Sequence, residues 1–142
     1  MIRIVITPDP IAAPPADDAR TGEGSELIFH GRVRDEEHGR PIVALEYEHY
    51  AGMAEAELEK LARETVEQFR LADLICTHRI GRIGVGESSL QVIVWSKHRA
   101  EGLRAMGHFI RQLKLRVPIW KWAVTPDGER FPSHCNHEHD ED

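Results

Sequence analysis

The sequence predicts an α+β protein with a mixed or antiparallel sheet and two long helices, and three observations carry that reading. Residues 53–69 and 98–117 repeat apolar side chains at intervals of three and four, the spacing of a helix with one buried face. Residues 25–34 set Leu27, Phe29, Gly31 and Val33 against Ile28, His30, Arg32 and Arg34, the two-residue period of a strand. Other short β-like runs surround the helices without an internal repeat, which fits strands and helices segregated in one α+β domain. A chain of 142 residues is one domain, and at that size it buries roughly 68 to 70% of its unfolded surface. We place that domain at 1–131 and a mobile polar tail at 132–142.

Taken in order, IRIVIT at 2–7 predicts a first strand. DPIAAPPADDARTGEGS follows without period, rich in Pro, Ala, Asp and Gly, and predicts a loop. SELIFHGRVRD is the alternating strand, EEHGRP a turn, and VALEYEHY a second strand, which suggests a hairpin or meander. From Met53, Leu58, Leu61, Ala62, Thr65, Val66 and Phe69 mark a helix of about 17 residues, with Glu55, Glu57 and Glu59 near its N-terminus, where negative charge suits the helix dipole. DLICTHRIGRI and SLQVIVWS read as two strands around GVGES. Each is apolar on both faces, so each is expected to be central or covered by a partner. Leu103, Met106, Ile110, Leu113 and Val117 mark the second helix, stopped at Pro118, and WKWAVTP and ERFP are short strands around TPDGE.

Net charge is -6, which argues against general nucleic-acid binding. The distribution is uneven: residues 95–130 hold eight Lys or Arg against three acids, an excess that suits a small anionic ligand. No apolar run approaches the ~20 residues of a membrane span, and the N-terminus lacks the basic start and long apolar centre of a signal peptide. The two cysteines, Cys76 and Cys135, lie in unlike settings and predict a reduced, cytoplasmic protein rather than a disulfide. In the tail, His134, Cys135, His137 and His139 are metal-binding residue types, but their spacing matches no closed zinc motif. Neither a metal nor a cofactor is expected.

The second helix carries the candidate chemistry. Counting about 100° per residue from Leu103, the apolar residues centre at about 310°, while Arg104 falls at about 100° and Arg111 at about 80°, toward solvent. Arg99 falls at about 320° and Lys114 at about 20°, with the apolar side, where a lysine either snorkels or lines a pocket. If Ser96 is the N-cap, Lys97, His98 and Arg99 fill a first turn where positive charge opposes the dipole. A bound anion reverses that penalty; compensation by Glu101 is the alternative. Arg99 and Lys114 lie roughly 22 Å apart along a helix, so either there are two sites or a second copy of the chain completes one. Lys114 and Lys121 flank the stiff Val-Pro-Ile-Trp corner. At an ordinary pKa of about 10.4 only roughly one lysine in a few thousand is neutral at pH 7, and desolvation in a semi-buried corner makes a base or nucleophile of one. An edge-strand Lys121 and a snorkelling Lys114 are the alternative.

GRVRD after a strand, ALEYEHY before a helix, then HRIGRIGVGE, SKHRAE and LKLRVPIWK, in that order from about Ser25 to Phe131, resemble the large, catalytic subunit of molybdopterin synthase, the MoaE family. The resemblance implies an α/β hammerhead-type fold and a homodimer within a heterotetramer. A small ubiquitin-like carrier would sit at each end, its C-terminal Gly-Gly thiocarboxylate giving sulfur twice to cyclic pyranopterin monophosphate to form the molybdopterin dithiolene. It also implies that Lys114 and Lys121 are catalytic, and that Arg34, His98 and Arg99 bind the phosphate and pterin, with His98 and Arg99 reaching the pocket of the neighbouring chain. Where the family pattern has a basic residue and a Glu after the second lysine, this chain has Trp122 and Ala123. The alternative reading is therefore a non-catalytic relative that docks a ubiquitin-like sulfur carrier.

Overall fold

The computed structural model of the chain describes residues 1–14, 16–17 and 19–133; the tail residues singled out for metal binding, with Cys135, lie outside them. The strands are β1 (Ile2–Thr7), β2 (Ser25–Arg32), β3 (Glu36–Glu37), β4 (Arg40–Pro41), β5 (Ala44–His49), β6 (Asp73–Arg79), β7 (Gly81–Gly84), β8 (Ser88–Ser96), β9 (Ile119–Val124) and β10 (Arg130–Pro132); the helices are α1 (Met53–Phe69) and α2 (Arg99–Arg116). The class is the predicted α+β.

Two four-stranded sheets form. The first has the order β1-β6-β8-β2, with β1 parallel to β6 and the other pairs antiparallel. The second, β10-β9-β5-β7, is antiparallel throughout. The predicted pairing of the strands before and after EEHGRP does not occur. β2 pairs with β8, and β5 pairs with β7 and β9. The intervening EEHGRP closes on itself as the β3–β4 hairpin, because His38 and Gly39 both take positive φ (51° and 78°), the geometry of a two-residue turn that matches strand twist. The chain thus leaves the first sheet after Arg32 and enters the second at Ala44.

DLICTHRIGRI is likewise two strands rather than one. Gly81, at φ 83°, takes a conformation that costs a side chain about 1–2 kcal/mol, and there the chain passes from β6 in the first sheet to β7 in the second. β6 and β8 are the two central strands of their sheet, as their apolar faces require. One face of β8 meets the helices. The other is covered by the Pro/Ala loop of the same chain: Gln91 Nε2 donates to the Ala12 carbonyl at 3.0 Å, and the Arg20 guanidinium stacks 3.9 Å over Trp95.

The main core lies between α1, α2 and the first sheet, built from Leu58, Leu61, Leu74, Val92, Val94 and Phe109, all fully buried, with Ile2, Ile4 and Ile6 of β1 packed against it. The face of α2 that packs there is Gly102, Ala105, Phe109, Ile110 and Leu113. Leu103 is 58% exposed, so the buried face is rotated from the one that hydropathy predicts. Small residues, Gly102 and Ala105, sit against the sheet because they let the helix approach closely, and a hydropathy count gives them little weight. The second core is smaller: Val33, Ile42, Leu45, Ile83 and Ala123, with Tyr47 and Phe131 packed on it. β10 runs through Pro132 and Ser133 is buried, so the fold extends past the boundary drawn at residue 131.

Candidate active site

β9 forms the floor of the site. It lies between β10 and β5, so Lys121 is not on an edge strand. Alternation along β9 sends Lys121 and Ala123 to the inner face, where Ala123 is fully buried in the second core. Lys121, one step nearer the rim, is about a quarter exposed (23%). Opposite it on β5 stands Tyr47, whose ring meets that of His78 edge-on with centroids 5.1 Å apart.

A buried carboxylate faces Lys121. The β3–β4 hairpin folds over this end of the second sheet, held by Ile42 in the core, by the Ile42 N–H donating to Asp35 O at 3.0 Å and by Arg40, whose guanidinium lies 4.1 Å over the Phe131 ring. That placement delivers Glu37, with a side chain only 8% exposed, to 3.1 Å from Lys121 Nζ. Arg34 approaches the other carboxylate oxygen at 3.5 Å from the exposed side. The Ser133 hydroxyl donates to Glu37 Oε2, and the Ser133 N–H donates to the Lys121 carbonyl at 3.0 Å. Burial works against ionising Glu37, but the Ser133 hydroxyl, the Lys121 ammonium and Arg34 outweigh it and hold its carboxyl below the ordinary value. Two cations and a hydroxyl around one carboxylate is a satisfied network, which a buried charge needs.

His78 lies behind Lys121. Its Nδ1 is 2.8 Å from the Arg79 carbonyl oxygen, so Nδ1 carries the proton. Burial, with smaller repulsion from His49 and Lys121, holds the imidazole down to about 4. A neutral histidine beside the lysine adds no competing charge near pH 7.

The other candidates lie along α2. Its N-cap is His98, not Ser96. The Ser96 hydroxyl instead donates to the His98 carbonyl at 2.6 Å, and Glu101 accepts from the His98 N–H at 3.2 Å. Glu101 is also 3.7 Å from His98 Nδ1, so it does offset the positive first turn. His98 remains 70% exposed in its side chain, and Arg99 is exposed. Lys114, two residues before the helix ends, is exposed as well, not semi-buried as expected, because the buried face of α2 is rotated away from it. Arg99 and Lys114 stand at opposite ends of one 18-residue helix, so no bending of a single chain brings them together. Within the chain the structure therefore gathers Arg34 and Lys121, and keeps His98 and Arg99 at the far end of α2 from Lys114.

Sequence reasoning missed Glu37, Ser133, Tyr47 and His78. EEHGRP shows a turn but gives no sign that one of its two acids is buried, and Ser133 falls within the predicted tail. A cavity of about 320 Å³ opens elsewhere, against the first sheet, lined by residues including Arg20, Glu26, Ile28, Ile93 and Trp95. It contains none of the five candidates.

Comparison with known proteins decides the family. The family model described as "MoaE protein" matches residues 6–116. The chain belongs to the MoaE family. The matched span carries Arg34, His98, Arg99 and Lys114 and stops short of Lys121. Among MoaE relatives, the molybdopterin synthase catalytic subunit of Pyrococcus abyssi is 42% identical over 106 residues, 75% of this chain and 72% of that protein. The Escherichia coli K12 protein of the same description is 33% identical over 132 residues, covering 91% and 88%. The crystal structure of molybdopterin synthase from Staphylococcus aureus superposes with a TM-score of 0.77 at 30% identity, over 93% of this chain and 96% of that one.

Proposed function

We propose that the chain is the catalytic subunit of a molybdopterin synthase, transferring sulfur from a thiocarboxylated carrier to cyclic pyranopterin monophosphate to form the molybdopterin dithiolene. The observation that carries this reading is the meeting of Arg34 and Lys121 over the buried Glu37, in a chain of the MoaE family. An ammonium and a guanidinium that share one carboxylate, the guanidinium from the exposed side, make a receptor for an anionic, oxygen-rich substrate. The partner is a small ubiquitin-like sulfur carrier whose C-terminal Gly-Gly thiocarboxylate enters beside the 117–118 corner. Lys114 acts at the carrier's terminal carbonyl, where sulfur leaves. Lys121, paired as an ammonium with Glu37, serves the substrate as an acid or as a binding partner, and Arg34 holds its phosphate and pterin.

His98 and Arg99 bind the same substrate from a second copy of the chain. Their exposure in the single chain and their distance from Lys114 along α2 support a homodimer with shared pockets, carrying one carrier at each end. No helix among the described residues is long and apolar enough to cross a membrane, and we place the reaction in the cytoplasm.

The test is reconstitution from purified protein, thiocarboxylated carrier and cyclic pyranopterin monophosphate, with molybdopterin detected as its fluorescent oxidation product. Product supports the reading. Carrier binding without product supports the docking-only alternative. Ala123→Glu is a poor way to rescue that case, because position 123 is fully buried among Val33, Ile42, Leu45 and Ile83, where a carboxylate finds neither water nor room.

A further inference from the structure

Lys121 receives no carboxylate from its own strand: Trp122 turns to the other face, and Ala123, on the same face, has none. The acid that meets it comes from the β3–β4 hairpin, distant in sequence and tied down at several points. We infer that Glu37 is a positioning residue of the reaction, holding the Lys121 ammonium and the Arg34 guanidinium in one orientation toward the substrate. This inference rests on the reading of Lys121 and Arg34 as site residues.

Three features of the arrangement support it. Lys121 hangs on a four-carbon stem with little intrinsic orientation, whereas its partner is short, nearly buried and fixed by a hydroxyl, so the carboxylate sets the position of the ammonium. Both Glu37 oxygens are used, one toward Lys121 and Ser133 and the other toward Arg34, so a single group registers two cations from different elements. Ser133 touches both members of the pair, through its hydroxyl to Glu37 and its backbone N–H to Lys121. The charged groups at the carboxylate are Arg34 from the segment after β2 and Lys121 from β9; Arg40 is the register partner of Glu37 across the hairpin, its guanidinium over Phe131. His78 on β6 and Tyr47 on β5 border the lysine.

The roles separate by substitution and pH. In Glu37→Gln the rate of a single turnover falls about tenfold to a hundredfold, the scale of a misplaced catalytic group, and Glu37→Asp recovers part of it. In wild type the rate declines on the acid side as Glu37 takes up its proton and releases Lys121. Ser133→Ala removes one of the interactions that hold this carboxyl low, so that acid limb moves to higher pH. A merely structural Glu37 would lower the amount of folded protein and leave the limb in place when the rate is read per folded molecule.

Glu37→Gln turning over at the wild-type rate, or a Ser133→Ala limb that coincides with wild type, overturns the inference. If Glu37→Gln fails to fold, Ser133→Ala alone decides it. Wild-type protein that binds carrier and makes no product instead defeats the reading of function, which separates the two failures.

Discussion

In the first sheet, β8 is buried along nearly its whole length and shares a predominantly apolar core with Leu58, Leu61 and Phe109 of the helices. In the second sheet, of the same strand number, the buried core shrinks to five residues and its rim holds Glu37 and Lys121. The first arrangement derives its stability from area removed from water, at roughly 25 cal/mol per Å². The second gives up apolar area to place charges where a substrate can reach them, and a buried ion pair adds little net stability in return. One region is therefore expected to govern folding and the other chemistry. The two are joined at His78, a residue of the first sheet whose ring meets Tyr47 of the second.

The largest effect should come from the chemical side. Lys114→Ala should lower molybdopterin formation by roughly 10²- to 10⁴-fold, the range for a lost acid, base or nucleophile, while leaving the unfolding midpoint unchanged, because the side chain is exposed. Retained activity in the reconstituted assay would remove Lys114 from the site. The converse substitution is Phe109→Ala. Deleting the largest fully buried side chain of the core should cost about 3 to 5 kcal/mol in urea unfolding, with the activity of each folded molecule preserved. If Phe109→Ala instead abolished turnover at temperatures where it is fully folded, the division between the two regions would fail.

The joint itself is tested by pH. His78 titrates near 4 in the folded protein and near the ordinary 6.5 when unfolded, so the unfolded chain binds the extra proton between those values. Its contribution to stability is full above about pH 6.5 and is lost as pH falls toward 4, by an amount on the order of 3 kcal/mol. In His78→Gln the slope of unfolding free energy over that window should flatten. An unchanged slope would mean that His78 is not what couples acid to loss of the fold.

These divisions were unequally legible in the sequence. Period marks both helices and β2, because burial on one face writes directly into residue spacing; α1 spans Met53–Phe69, as the pattern of Leu58, Leu61, Thr65 and Phe69 requires. Pairing was not legible. β2 and β5 look like hairpin neighbours along the chain, yet the turn at His38 and Gly39 closes a separate β3–β4 hairpin between them, and a second switch of sheet, from β6 to β7, falls at Gly81. At the site, Lys121, Arg34 and the α2 residues stood out by charge and by the proline corner. Glu37 did not, since an acid in a turn is ordinarily solvated, and its burial depends on contacts with Ser133, nearly a hundred residues later in the chain.

The smallest predicted single effect concerns the far end of α2, and it sharpens the comparison most. Arg99→Ala should raise KM about tenfold to a hundredfold, consistent with one lost charge-assisted hydrogen bond worth about 1.5 to 3 kcal/mol, whereas Arg111→Ala, on the solvent side of the same helix, should do nothing measurable. The informative experiment mixes subunits. If each pocket takes Lys114 from one chain and Arg99 from its neighbour, a mixed dimer of Lys114→Ala and Arg99→Ala chains has both lesions in one pocket and none in the other. Random exchange from equal amounts then yields intact pockets in about a quarter of the total, and activity at low substrate should rise to that level from two nearly inactive parents. If both residues served one chain's own pocket, every pocket would keep one lesion and mixing would restore nothing. That result would also return the roughly 22 Å between the two ends of α2 to its other meaning, two separate sites on each chain.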